Sequence, residues 1–133
     1  MSAPTPVVRA VTYERDLHRC VSCGATAFLE FNHRRAVGMG GSKIRPLYTD
    51  GVTACSRCNG RYEAEFESAA LRFGWKVRKW VAAPGLVPVW YAMERSWFRL
   101  TLDGTRVRIA HREAMAMMQE VYGSEYVDGV GLR

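Results

Sequence analysis

The chain has 133 residues, enough for one domain with a real core and too few for two ordinary ones, and 48% of them are hydrophobic, as a globular fold requires. Its formal charge of +6 suits a polyanionic partner such as DNA or RNA. No apolar run approaches the roughly 20 residues that span a bilayer. Met1 to Pro6 lacks the basic and apolar regions of a secretory signal, so neither membrane insertion nor secretion is expected and a cytoplasmic location is.

Residues 1–6 carry two prolines and read as a loose tail. From Val7 to Arg19, the apolar residues Val7, Val8, Val11 and Leu17 lie near helical spacing, which predicts a short helix leading into the first cysteine pair. Gly24 fits the backbone reversal that follows such a pair. Phe28 to His33 reads as a strand, and Arg34 to Thr49, with Gly38, Gly40, Gly41 and Pro46, as an irregular loop. A second strand, Val52 to Ala54, delivers Cys55. After Cys58 one helix is expected, with Tyr62, Phe66, Ala69 and Phe73 on a single stripe and Gly74 as its stop. Beyond it the pattern changes. Val87 to Met93, Trp97 to Leu102 and Arg106 to Ala110 read as strands, with a hairpin at Asp103-Gly104, and Arg112 to Tyr122 as a helix. The domain reading is therefore a tail (1–6), a cysteine-bounded core (7–74), and a β-rich extension with a closing helix (75–133) packed on it as one domain.

Cys20-Val-Ser-Cys23 and Cys55-Ser-Arg-Cys58 are two close pairs in a chain expected to keep its thiols reduced, which favours metal over disulfides. Zn²⁺ prefers four tetrahedral ligands, and an all-cysteine set is structural because it leaves no open position. Cys20, Cys23, Cys55 and Cys58 are thus expected to close one zinc site that contributes folding free energy and no chemistry. The 31 residues between Cys23 and Cys55 hold a strand, a loop and a second strand. Four thiolates with one Zn²⁺ bring the net charge to +4, still basic.

Asn32 and His33 sit inside that pinned segment, and Asn59 follows the last cysteine directly. Zinc would draw the strand carrying His33 toward the helix carrying Asn59 and gather the three polar residues. Phosphodiester hydrolysis needs what they offer. A neutral histidine can deprotonate water near pH 7, and oxygen ligands can hold a hard divalent ion against a phosphate. Arg34, Arg35, Lys43 and Arg45 surround the glycine-rich loop, and Arg57 and Arg61 lie close by, so these six are candidate phosphate contacts. Lys76, Arg78 and Lys79 form a further basic cluster, and Arg106 and Arg108 share a strand face. Trp75, Trp80, Trp90 and Trp97 read as core, and Met115, Met117 and Met118 as core or a dimer seam.

Tyr13 to Asp16, the two cysteine pairs, Leu29-Glu30-Phe31-Asn32-His33-Arg34-Arg35, Gly38-Met39-Gly40-Gly41, Asp50-Gly51-Val52 and Cys58-Asn59 together resemble the HNH, or ββα-metal, endonuclease family, in its zinc-stabilised phage recombination type. The resemblance covers roughly residues 13–73. It implies an α+β fold with a ββα-metal core closed by the four-cysteine zinc site, followed here by a small antiparallel sheet and a C-terminal helix. It also implies DNA cleavage to 3′-hydroxyl and 5′-phosphate ends, in phage or mobile-element DNA metabolism, in the cytoplasm of an infected bacterial host. His33 matches the general base. Asn32 and Asn59 match the ligands of a catalytic Mg²⁺ or another divalent ion such as Mn²⁺ or Ni²⁺. Asp50 falls where an asparagine usually braces the loop and orients the base. Two departures stand out. Asn32 is neutral where the family often has a carboxylate, so the ion would be weakly held unless Glu30 and substrate phosphates help. Asp50 lacks an amide donor. The rival readings are a non-catalytic zinc-stabilised DNA-binding module, or degenerate nuclease, and a zinc-ribbon adaptor. Oligomeric state, monomer or homodimer, is open.

Overall fold

The computed structural model describes residues 3–35 and 44–123. Thr5 caps the first helix, α1 (Pro6–Arg15), accepting the Val8 N–H at 3.2 Å, and Pro6 opens it. The helix stops short of the expected Arg19 because Leu17 and His18 take positive φ. Its buried face is polar, formed by Thr12 and Arg15, while Val7 is exposed. Arg15 pairs with Asp16 at 2.8 Å, and Asp16 in turn accepts the Thr53 N–H and the Tyr91 hydroxyl. The N-terminal tail is not loose where it is described: Pro4 is buried, and the Ala3 carbonyl accepts from Arg45.

Strands β1 (Leu29–His33) and β2 (Gly51–Cys55) pair antiparallel, with Leu29 opposite Cys55 and His33 opposite Gly51. Helix α2 (Ser56–Arg61) starts directly from β2, its first turn capped by the Cys55 sulfur, which accepts the Cys58 N–H at 3.4 Å. The single helix expected after Cys58 is broken. Tyr62 is fully buried, stacked on Trp75 with its hydroxyl 2.5 Å from Ser22, so the chain must turn there before α3 (Glu67–Arg72) can bury Ala70 and Leu71. Phe66 consequently leaves the core, 40% exposed beneath the Arg61 guanidinium. Gly74 does end α3: φ is +76°, and a Cβ would sit 1.8 Å from the Pro88 carbonyl oxygen.

The remainder is a three-stranded antiparallel sheet, β3 (Val89–Tyr91), β4 (Ser96–Leu100) and β5 (Arg106–Ile109), followed by α4 (His111–Tyr122). The β4–β5 turn is closed by Thr101 and Thr105 around Asp103-Gly104. Val89, Tyr91, Phe98 and Leu100 join Val52, Ala54, Tyr62, Trp75 and three of the cysteines in one cluster. Trp97, Ile109, Ala114, Met118 and Tyr122 pack with Leu71, Val77, Val81 and Val87 in a second. The architecture is thus α+β with two small antiparallel sheets, and the extension covers the cysteine-bounded unit. No helix among the described residues is long and apolar enough to cross a membrane.

Arg34 overturns an expectation. It is fully buried, so it cannot grip a phosphate. Nε donates to Gly74 O at 2.9 Å, Nη1 to Thr49 O at 3.1 Å and Pro84 O at 2.9 Å, and Nη2 to Val87 O at 2.8 Å. Burial pulls the guanidinium down to about 10, aided by the charge of Arg15, so it stays cationic at neutral pH. Removing it would strand four carbonyls. Arg34→Met is therefore expected to destabilise zinc-loaded protein by at least about 3 kcal/mol in urea unfolding, and Arg34→Lys to recover little, because an ammonium lacks the planar fork. A solvent-facing phosphate contact would change stability by less than about 0.5 kcal/mol.

Candidate functional site

The CxxC spacing and the β1–β2 pairing converge at the cysteines. All four are free thiols, and their sulfur atoms lie within 4.8 Å of one another, with Cys23 and Cys55 Sγ 3.7 Å apart. A zinc tetrahedron with Zn–S near 2.3 Å has edges of about 3.8 Å, so the donor set and its spacing suit a structural zinc ion. Cys20, Cys55 and Cys58 are buried, and Cys23 faces solvent. Burial pushes the Cys58 thiol up to about 12. At Cys20 burial is outweighed by the Ser22 hydroxyl and neighbouring backbone N–H groups, which bring it down to about 6. Zinc takes all four as thiolates and so releases protons on binding. The protein as purified is expected to carry one zinc per chain by elemental analysis, and Cys55→Ser to lose it together with cooperative unfolding; a full zinc equivalent in that variant would refute the assignment.

Beside the cysteines, β1, the start of α2 and the turn after α3 enclose a cleft of about 460 Å³ lined by Glu30, Phe31, His33, Ser56, Asn59, Gly60, Glu63 and Lys76. His33 and Asn59 therefore share one surface, as the cysteine spacing suggested. The Asn59 amide donates to Glu30 Oε1 at 2.8 Å, which sets its amide oxygen and the Glu30 carboxylate side by side as oxygen donors. His33 packs edge-on against Phe31, and its Nδ1 is buried without a hydrogen-bond partner among the described residues. Burial first, then the Lys76 ammonium, hold the imidazole pKa below its usual value, with Asp50 pulling the other way. The ring is neutral at pH 7, the form a base needs.

Lys76 is a cleft residue that sequence reasoning assigned only to a basic cluster. Its Nζ donates to the His33 carbonyl at 2.8 Å and pairs with Glu63 at 3.0 Å. Burial lowers its pKa, and Glu63 opposes the shift. Nothing in the local sequence separates it from Arg78 or Lys79; only the turn after Gly74 does.

Several expected site residues lie elsewhere. Asn32 is not on the cleft: its side chain is fully buried, with Nδ2 donating to Trp75 O at 2.8 Å and Oδ1 without a partner among the described residues. Asp50 is buried and braces its loop by accepting the Leu47 N–H at 2.6 Å, but makes no hydrogen bond to His33. Arg35 donates to Val81 O, Arg45 to Ala3 O, and Arg61 pairs with Glu65, while Arg57 is exposed on α2. Lys43 lies outside the described residues. Compared with known proteins, the chain matches no family model and, at a significant level, no curated sequence or solved structure.

Asn32→Asp separates a buried brace from a metal ligand. A carboxylate there faces the Trp75 carbonyl with no donor to offer, at a cost of about 1–3 kcal/mol or more. The variant is expected to melt lower than wild type without gaining affinity for divalent ions; a calorimetric titration showing tighter ion binding would reverse the assignment.

Proposed function

We propose that the chain is a metal-dependent DNA endonuclease of the HNH, ββα-metal type, with His33 as the general base. The observation that carries this reading is the single cleft in which a neutral histidine stands beside the hydrogen-bonded Glu30–Asn59 pair, next to a four-cysteine cluster. Glu30 takes the place expected of Asn32, supplying the carboxylate that the resemblance otherwise lacks.

In this mechanism His33 removes a proton from water, whose oxygen attacks phosphorus. The P–O3′ bond breaks and the departing oxygen takes up a proton from solvent, leaving a 3′-hydroxyl and a 5′-phosphate. Lys76, through the His33 carbonyl, holds the end of β1 and brings positive charge to a cleft that also carries Glu30 and Glu63. Glu30 and Asn59 would hold a Mg²⁺, Mn²⁺ or Ni²⁺ ion, which would supply charge stabilisation to the phosphate and the leaving oxygen. One carboxylate and one amide would bind such an ion weakly, and substrate phosphate would have to strengthen its hold. One site cuts one strand, so a monomer nicks.

A second reading, a zinc-stabilised DNA-binding module without catalysis, draws on the donor count. Among the described residues the cysteine quartet is the only group of three or more His, Cys, Asp or Glu able to share an ion.

Supercoiled plasmid with each divalent ion distinguishes the two. Wild type is expected to nick, and His33→Ala to be at least about 100-fold slower, the usual scale of general-base catalysis. Because the folded pKa of His33 is depressed, the base form persists into mild acid: the wild-type rate should rise with pH through a midpoint below about 6.5 and level off above it. Equal nicking by both proteins, folded and zinc-loaded, would sink the nuclease reading. A salt-dependent gel shift with no nicking would favour the binding module.

A further inference from the structure

The cleft does not end at Lys76. A second groove, of about 570 Å³, shares Glu63 and Lys76 with it and continues to Arg78, Lys79 and Trp80. Trp80, expected in the core, is instead 60% exposed, whereas Trp75 and Trp97 are buried. A T-shaped contact with Tyr122, centroids 5.5 Å apart, steadies its ring. The segment is also tied to the end of β1: Val77 N–H donates to Arg34 O at 2.7 Å, and Arg35 donates to Val81 O at 2.8 Å. Trp80 is thus an exposed aromatic face held at a set position relative to His33. Four residues span at most about 14 Å, so its Cα lies within about four stacked nucleotides of Lys76 at a 3.4 Å rise.

We propose that this groove carries an unpaired DNA strand flanking the scissile phosphate, with a base stacked on Trp80 and backbone phosphates near Lys79 and Arg78. The inference rests on the endonuclease reading and names its substrate class, DNA with a single-stranded flank. Chemistry favours an unpaired strand, because duplex bases have both faces covered by their neighbours and cannot stack on an indole, whereas a free strand can do so in any sequence. The charge balance agrees. The charged side chains lining the groove are Lys76, Arg78 and Lys79 against Glu63 and Glu67, three cations to two carboxylates, with Glu63 paired to Lys76.

The test measures fluorescence anisotropy without divalent ions, in a His33→Ala background, of a blunt duplex and of the same duplex with a single-stranded extension. The extended DNA is expected to bind more tightly. Trp80→Ala should lower the ratio of extended to blunt affinity about tenfold, Trp80→Phe should largely preserve it, and Lys79→Ala should reduce the salt slope on extended DNA by about 1. Since Trp80 is exposed, each variant should melt with its parent. No preference for the extension, no binding of either DNA, or an equal loss on both with Trp80→Ala would overturn the proposal. Plasmid nicking by protein with His33 intact is scored separately. A Trp80-dependent preference without nicking keeps the strand path and removes the nuclease; nicking without the preference does the reverse.

Discussion

The guanidinium of Arg34 is the contact on which both halves of the chain depend. It leaves β1 directly after His33 and is satisfied by carbonyls from Thr49, Gly74, Pro84 and Val87, which belong to the loop before β2, the end of α3 and the approach to β3. A buried cation with no carboxylate partner among the described residues is tolerable only when its donors are met, because desolvation otherwise dominates. Here the fork geometry of arginine meets carbonyls that converge on it from up to 53 residues further along the chain. The result is a fixed end for β1, and therefore a fixed backbone for His33, whose carbonyl is held by Lys76 on the other side.

The cysteine quartet supplies a second, separate constraint. It binds the two ends of the β1–β2 unit and sets where α2 begins, since the Cys55 sulfur caps that helix. With zinc bound, four thiolates would be closed off from substrate, and reactivity would belong to the neighbouring cleft. In that cleft the balance is local: Glu63 is paired with Lys76, Glu30 accepts from the Asn59 amide, and His33 is kept neutral by burial and by Lys76. On the proposed nuclease reading, an anion entering such a cleft would be better accommodated with a cation between it and Glu30.

Much of this was legible along the chain because it is encoded by short-range pattern. The CxxC pairs declare their geometry within four residues. The runs on either side of the glycine-rich loop read as β1 and β2, alternation marked β5, the Asp103-Gly104 turn marked a hairpin, and Gly74 marked a helix end. The proximity of His33 and Asn59 followed from the cysteines alone. What failed did so where long-range contacts overrode local periodicity. The continuous stripe from Tyr62 to Phe73 broke because Tyr62 is claimed by Ser22 and Trp75. Arg34 read as a phosphate contact because charge on a loop usually faces solvent. Trp80 read as core because it is an indole among other indoles.

By itself the sequence determined the cysteine framework, the type and order of most elements, and the pairing of a histidine with an asparagine after the last cysteine. These depend on spacings of a few residues and on intrinsic backbone preferences. Only the tertiary structure decided which polar side chains face the cleft. It turned Asn32 inward to the Trp75 carbonyl, brought Glu30 onto Asn59, buried Arg34 and Lys76 and left Trp80 outside. Those choices hinge on which backbone carbonyls and carboxylates arrive from distant segments to meet each donor. Hydrogen-bond satisfaction of that kind is a property of the assembled fold and leaves no periodic trace in the chain.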